Sequence, residues 1–144
     1  MDSKYLIENG FRRFGEFDPQ EIKSREDELN FSGVYAFVLD KIFPRLNGET
    51  DIIYIGQTGS IFKRMLNYCD GYEKAPQDKR IKDSLEKIKT MIRIGRALKD
   101  KRLNNNVFIF YKNLSNDKCQ EEESKLLKKY SNDHIELPPL NRRQ

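Results

Sequence analysis

Histidine occurs once in this 144-residue chain, at His134, and cysteine twice, at Cys69 and Cys119. One histidine excludes a two-His metal centre and speaks against most chemistries built on imidazole. Two cysteines can neither staple a small secreted fold nor build a zinc site by themselves. No apolar run approaches the roughly 18 residues that a membrane span needs. The first ten residues, MDSKYLIENG, hold no basic stretch followed by an apolar one, so no secretory signal is read there. Together these absences lead us to expect an intracellular, cytoplasmic protein with no membrane partner.

What is present points to one folded domain. The length suits a single core, and 9 Phe and 7 Tyr supply core-building bulk despite a charged fraction of 35%. The net charge of +4 is uneven. Residues 1–30 carry 5 basic and 8 acidic side chains, whereas residues 61–102 carry 13 basic and 6 acidic. A basic stretch of that kind is either a phosphate-facing surface or a solvated helix kept soluble by its charges.

Hydrophobic patterning gives a coarse order of elements. Tyr5, Leu6, Ile7, Phe11 and Phe14 suggest a helix over residues 2–17, followed by an acidic connector from Asp18 to Asn30. Gly33 to Leu39 is β-branched and aromatic throughout, as expected of a central strand buried on both faces. Asp51 to Gly56 is a second strand, and the intervening loop with Pro44 and Asn47-Gly48 makes the pair an antiparallel hairpin. Ser60 caps a helix from Ile61, and a longer helical pattern begins near Asp78. Asn106 to Tyr111 is a third strand, and Asp117 is expected to cap a last helix reaching Tyr130. Pro138 and Pro139 keep the tail extended. The expected class is α+β: a small three-stranded antiparallel sheet flanked by helices. Residues 1–30 pack on a core made by residues 31–144.

One carboxylate stands out. Cys119, Leu126 and Tyr130 share a stripe of the last helix, and Glu123 sits inside it. An acid on an apolar stripe is costly without a partner. It pairs with a base, snorkels at the edge of the stripe, or ligates a hard divalent cation.

Other motifs bear on this choice. Gly33-Val34-Tyr35 and Tyr54-Ile55-Gly56 resemble the paired motifs of the GIY-YIG nuclease superfamily. Arg64, eight positions after Gly56, resembles that family's helix arginine. Glu123-Ser-Lys-Leu-Leu-Lys-Lys-Tyr130 looks like its acidic helix, and Pro138-Pro-Leu-Asn141 like its terminal Pro-x-x-Asn element. The resemblance spans about residues 31–141, in order. Two positions depart from it: Val34 stands for the usual Ile, and Tyr68 stands four residues after Arg64, where the family often has His.

The resemblance implies an endonuclease that hydrolyses DNA phosphodiester bonds with one Mg²⁺ or Mn²⁺ held by Glu123. Arg64 would pair with the scissile phosphate through its fork of donors. Tyr35 would be the general base, its free pKa of about 10 requiring a cationic neighbourhood. Tyr54 would orient phosphate or water, and Asn141 would brace the site. Lys63 and Tyr68 are auxiliary candidates. Lys41, Arg45, Lys79, Arg80, Lys82, Lys87, Lys89, Arg93 and Arg96 are candidates for contacts to the DNA backbone, which position a duplex without reading its sequence. With no room for a separate reading module, the chain would bind DNA itself, dimerise, or be targeted by a partner protein. The other reading is an inactive nucleic-acid-binding module of the same fold.

Overall fold

The structure, a computed structural model, describes residues 1–74, 93–98 and 106–142. The elements run α1 (Ser3–Glu8), β1 (Arg12–Glu16), α2 (Pro19–Ser24), α3 (Glu26–Leu29), β2 (Gly33–Pro44), β3 (Glu49–Thr58), α4 (Ile61–Lys74), α5 (93–98), β4 (Val107–Asn113) and α6 (Asn116–His134). The class is α+β, and every strand pairing is antiparallel. The sheet has four strands in the order β1-β4-β2-β3, not the three expected.

The extra strand comes from the stretch read as one helix. The Asp2 carboxylate accepts from the Tyr5 N–H and starts α1, but Gly10 takes φ +90 just beyond it and turns the chain. Phe11 and Phe14, three apart, look helical on paper. In extended chain an odd spacing puts them on opposite faces. Phe11 packs into the core beneath α1 and α6, and Phe14 into the core beneath α2 to α5. A bulge between Arg13 and Gly15 adjusts the register against β4. The acidic connector likewise holds two short helices. The Asp18 carboxylate caps α2, whose first residue is Pro19; Ile22 is the buried residue of α2 and Leu29 that of α3.

Strand β2 behaves as its composition demands. It lies between β4 and β3, with Val34, Ala36 and Val38 facing one core and Tyr35, Phe37 and Leu39 the other. In β3 a bulge at Ile53 shifts the pairing from Phe37 opposite Tyr54 to Val38 opposite Ile52. The slip lets Ile53 and Tyr54 both pack toward the α4 side. Helix α4 begins where Ser60 accepts from the Lys63 N–H at 3.3 Å. The cap of α6 is Ser115, not Asp117, which lies in the first turn and hydrogen-bonds back to Ser115. The single histidine is buried at the end of α6: His134 Nδ1 lies 2.8 Å from the Asn47 carbonyl oxygen and so joins the hairpin tip to the helix.

Gly33 allows the sheet to close. A Cβ there would stand 2.1 Å from the Lys112 carbonyl oxygen, a backbone atom of the partner strand. We therefore expect Gly33→Ala to part β2 from β4 and cost about 3 kcal/mol or more. A urea midpoint within experimental error of wild type would disprove that steric assignment.

Candidate active site

Tyr35 and Gly56 are directly opposed across β2 and β3. The Tyr35 ring lies over Gly56, where a Cβ would come within 2.6 Å of its Cζ and hydroxyl and 2.9 Å of Tyr54 Cε1. The missing side chain is what lets the phenol cross the strand. Tyr68 descends from α4 onto it, with the two hydroxyl oxygens 2.5 Å apart. Phe37 and Tyr54 complete a four-ring cluster with centroid separations from 5.3 to 6.4 Å. Tyr35 and Tyr68 are fully buried, while Tyr54 keeps part of its surface open.

Arg64, half-buried on α4, puts its charge among these phenols and hydrogen-bonds Tyr68. Burial opposes that charge, but the three phenols outweigh burial and raise the arginine pKa. Burial also pushes Tyr35 well above 10, and the Tyr68 and Tyr54 hydroxyls add to the rise. Arg64 pulls the other way and does not prevail. The cationic neighbourhood expected to favour a Tyr35 phenolate is present, and burial overrides it.

Glu123 reaches the same place from α6. Its carboxyl is half-buried, and burial raises its pKa. The Arg64 charge and the Gln57 backbone N–H hold part of that rise back. Asn141 clamps the next outward residue of β3: its carboxamide oxygen accepts from the Ile55 N–H at 3.0 Å and its NH₂ donates to the Ile55 carbonyl at 2.9 Å. The Leu140 N–H donates to the Ile53 carbonyl, so the tail runs along the strand.

The structure thus brings together Tyr35, Tyr54, Arg64, Tyr68, Glu123 and Asn141. It separates others from them. Lys63 faces solvent on α4, and Lys41 is exposed on the outer part of β2. Arg45 is held by Glu136 and the Leu137 carbonyl, with only 12% of its side chain exposed, and serves the tail. Lys79, Arg80, Lys82, Lys87 and Lys89 lie outside the described residues. Arg96 is exposed on α5, and Arg93 is half-buried there, within electrostatic range of Tyr54 and Tyr68. One basic residue escaped the sequence reading: Arg142, directly after Asn141, lies close enough to Arg93 for their charges to interact. Its adjacency to the Pro-x-x-Asn element was the available signal.

Comparison of the chain with protein-family models, curated proteins and solved structures finds no match. The chemistry rests on the residues themselves. Glu123 supplies one hard, partly desolvated oxygen donor beside a guanidinium. That set suits a small divalent cation that keeps most of its shell as water and phosphate oxygen, and does not suit a closed structural metal site.

Two outcomes are expected. Tyr35→Phe and Tyr68→Phe should each cost about 1–2 kcal/mol, because each removes a buried hydroxyl's partner. The double variant should cost clearly less than the sum, since the bond between the two hydroxyls is lost only once; strict additivity in urea melts would refute the coupling. For Glu123 the folded pKa is raised, so burial favours the protonated acid. Its contribution to stability is present below the unfolded value near 4.5 and is lost as pH rises through the folded value. Glu123→Gln should therefore gain stability relative to wild type as pH goes from 4 to 7. A pH-independent difference would contradict this.

Proposed function

We propose that the chain is an endonuclease of the GIY-YIG type that hydrolyses DNA phosphodiester bonds with the aid of one Mg²⁺ or Mn²⁺. The observation that carries this reading is the meeting of Arg64, Glu123 and a tyrosine cluster over a glycine that must lack a side chain. A guanidinium offers paired donors to a phosphate, and a nearby carboxylate offers a cation a ligand on the same side.

In this reading Arg64 holds the scissile phosphate and offsets the charge that grows on its oxygens. Glu123 would hold the cation, which supplies Lewis-acid polarisation of the phosphate and neutralises charge when bound. Water attacks phosphorus as the bond to the leaving oxygen breaks; the proton the water gives up passes to solvent, and solvent water returns one to the departing oxygen. A hydroxyl that assists must be within hydrogen-bond reach of that water. Tyr54 is the phenol open to the cleft and orients the water. Tyr35 and Tyr68 lie beneath it, fixing its ring and anchoring Arg64. Asn141 keeps β3, and with it Tyr54, in place.

The test is nicking of supercoiled plasmid with Mg²⁺, compared between wild type, Glu123→Ala and Arg64→Ala. We expect each substitution to lower the rate at least 100-fold, with Mg²⁺ raising the melting temperature of wild type but not of Glu123→Ala. Failure of wild type to cleave across metals and substrates, while it still binds DNA, would replace this reading with an inactive binding module.

A further inference from the structure

The chain leaves α6 through a backbone conformation that its residue does not suit. Ile135 ends the helix with φ +64, its N–H donating to the Ser131 carbonyl at 2.8 Å. That left-handed region crowds the Cβ of an L-residue and is usually left to glycine or asparagine at helix ends; a β-branched side chain suits it least. Ile135 is 68% exposed, so burial does not offset the strain.

The six residues beyond it, 136–141, form a stiff unit. Pro138 and Pro139 fix their own φ angles, and the Asn141 N–H donates to the Pro138 carbonyl at 3.0 Å, closing a turn. The unit meets the β2–β3 hairpin at both ends. At the near end the Glu136 carboxylate accepts from the Leu46 N–H at 2.7 Å and pairs with Arg45, whose guanidinium also donates to the Leu137 carbonyl. At the far end Leu140 and Asn141 hold the peptide groups of Ile53 and Ile55. The near contact carries a cost, because Arg45 Nε is buried and finds no hydrogen-bond partner among the described residues. A strained hinge and an unsatisfied donor thus oppose closure, while an ion pair and the strand-edge bonds favour it. Such opposition lets a segment move without the core unfolding.

We propose that residues 136–141 are a strap that opens and closes as one piece about Ile135, with Arg45 and Glu136 as its latch. Closed, the strap seats Asn141 on the edge of β3 next to Tyr54. Open, it releases the Ile53 carbonyl and both peptide groups of Ile55 and removes that brace from the cleft. Arg45 and Glu136 are then positioning residues, which sit at the hairpin tip and act on the cleft through Asn141. The strap goes beyond the nuclease reading and does not depend on it.

The experiment is amide hydrogen exchange of the full chain, followed residue by residue by NMR without DNA or metal. The Ile55 N–H donates to the strap and the Leu140 N–H donates from it, so both report its opening. The control is the Phe17 N–H, which donates to the Val107 carbonyl at 2.7 Å at the opposite side of the sheet. Glu136→Ala should speed exchange at Ile55 and Leu140 by one common factor, about tenfold, and leave Phe17 unchanged. Ile135→Gly should slow both about threefold, since it relieves the hinge and gives up only an exposed side chain. Different factors at the two amides would show that the strap does not move as one piece. No response to Glu136→Ala would remove the latch, and faster exchange in Ile135→Gly the strained hinge. An equal response at Phe17 would mean global unfolding instead. Each of these results overturns the proposal, and none of them bears on whether the cleft cleaves DNA.

Discussion

Strand β3 is an edge, and the need to satisfy its outward peptide groups organises the candidate site. An edge strand presents a row of unpaired N–H and C=O groups that must find partners or invite another chain. Here the partners are drawn from elsewhere in the molecule. The Leu140 N–H takes the Ile53 carbonyl, Asn141 takes both groups of Ile55, and Glu123 takes the Gln57 N–H. The Ile53 carbonyl, both peptide groups of Ile55 and the Gln57 N–H all lie on the open side of the strand, although the bulge sends the Ile53 and Ile55 side chains to opposite cores. The edge thus positions the tail and the acidic helix relative to Tyr54, and a structural need becomes the scaffold of the cleft. The opposite edge, β1, is closed differently: Arg25 stacks on Phe14 and donates to its carbonyl at 3.1 Å.

Beneath the edge, the two faces of the sheet divide the work. One core is mostly aliphatic and packs α6, with Leu126 and Leu127 in the same cluster as Val34 and Val38, beside Phe11, Phe110 and Tyr130. The other is rich in aromatics and packs α4, and it contains the paired hydroxyls of Tyr35 and Tyr68. Burying phenols is tolerable only where their hydroxyls find partners, as Tyr130 does in the Ile52 carbonyl and Tyr35 and Tyr68 do in one another. Their chain of hydroxyls then offers Arg64 a polar lining inside an apolar core. Glu123 is the counterweight, a carboxyl whose pKa burial raises while Arg64 and the Gln57 N–H hold part of that rise back. Burial works against the Glu123 charge, whereas the surrounding phenols favour that of Arg64.

How much of this was legible in the sequence depends on which force decided each element. The β2–β3 hairpin was legible because an all-apolar strand leaves few alternatives. Glu123 was legible because a charge on an apolar stripe of α6 contradicts its neighbours, and the stripe is real: Cys119, Leu126 and Tyr130 are buried around it. Strand β1 was not legible. The spacing of Phe11 and Phe14 fits a helix turn and a bulged strand alike, and only pairing with β4, some hundred residues away, selects the strand. The state of Tyr35 was also hidden, because its pKa depends on how deeply the fold buries it. The role of Arg45 was settled by Glu136, a partner that charge counting along the chain cannot see.

The same limit applies to the basic stretch from Lys63 to Arg102. Segment charge treats neighbours in sequence as neighbours in space, and the cleft does not. Lys63 and Arg64 are adjacent on α4, yet one faces solvent and the other faces three phenols. Arg64 comes from α4, Arg93 from α5 and Arg142 from the tail, a stretch of nearly balanced charge. A helix shows successive residues to different faces, whereas an anchored edge collects residues from distant segments onto one face. The local concentration of positive charge is therefore a property of where Asn141 and Ile94 are fixed. Substitutions at those two uncharged anchors should disturb the field at the cleft as surely as removing an arginine.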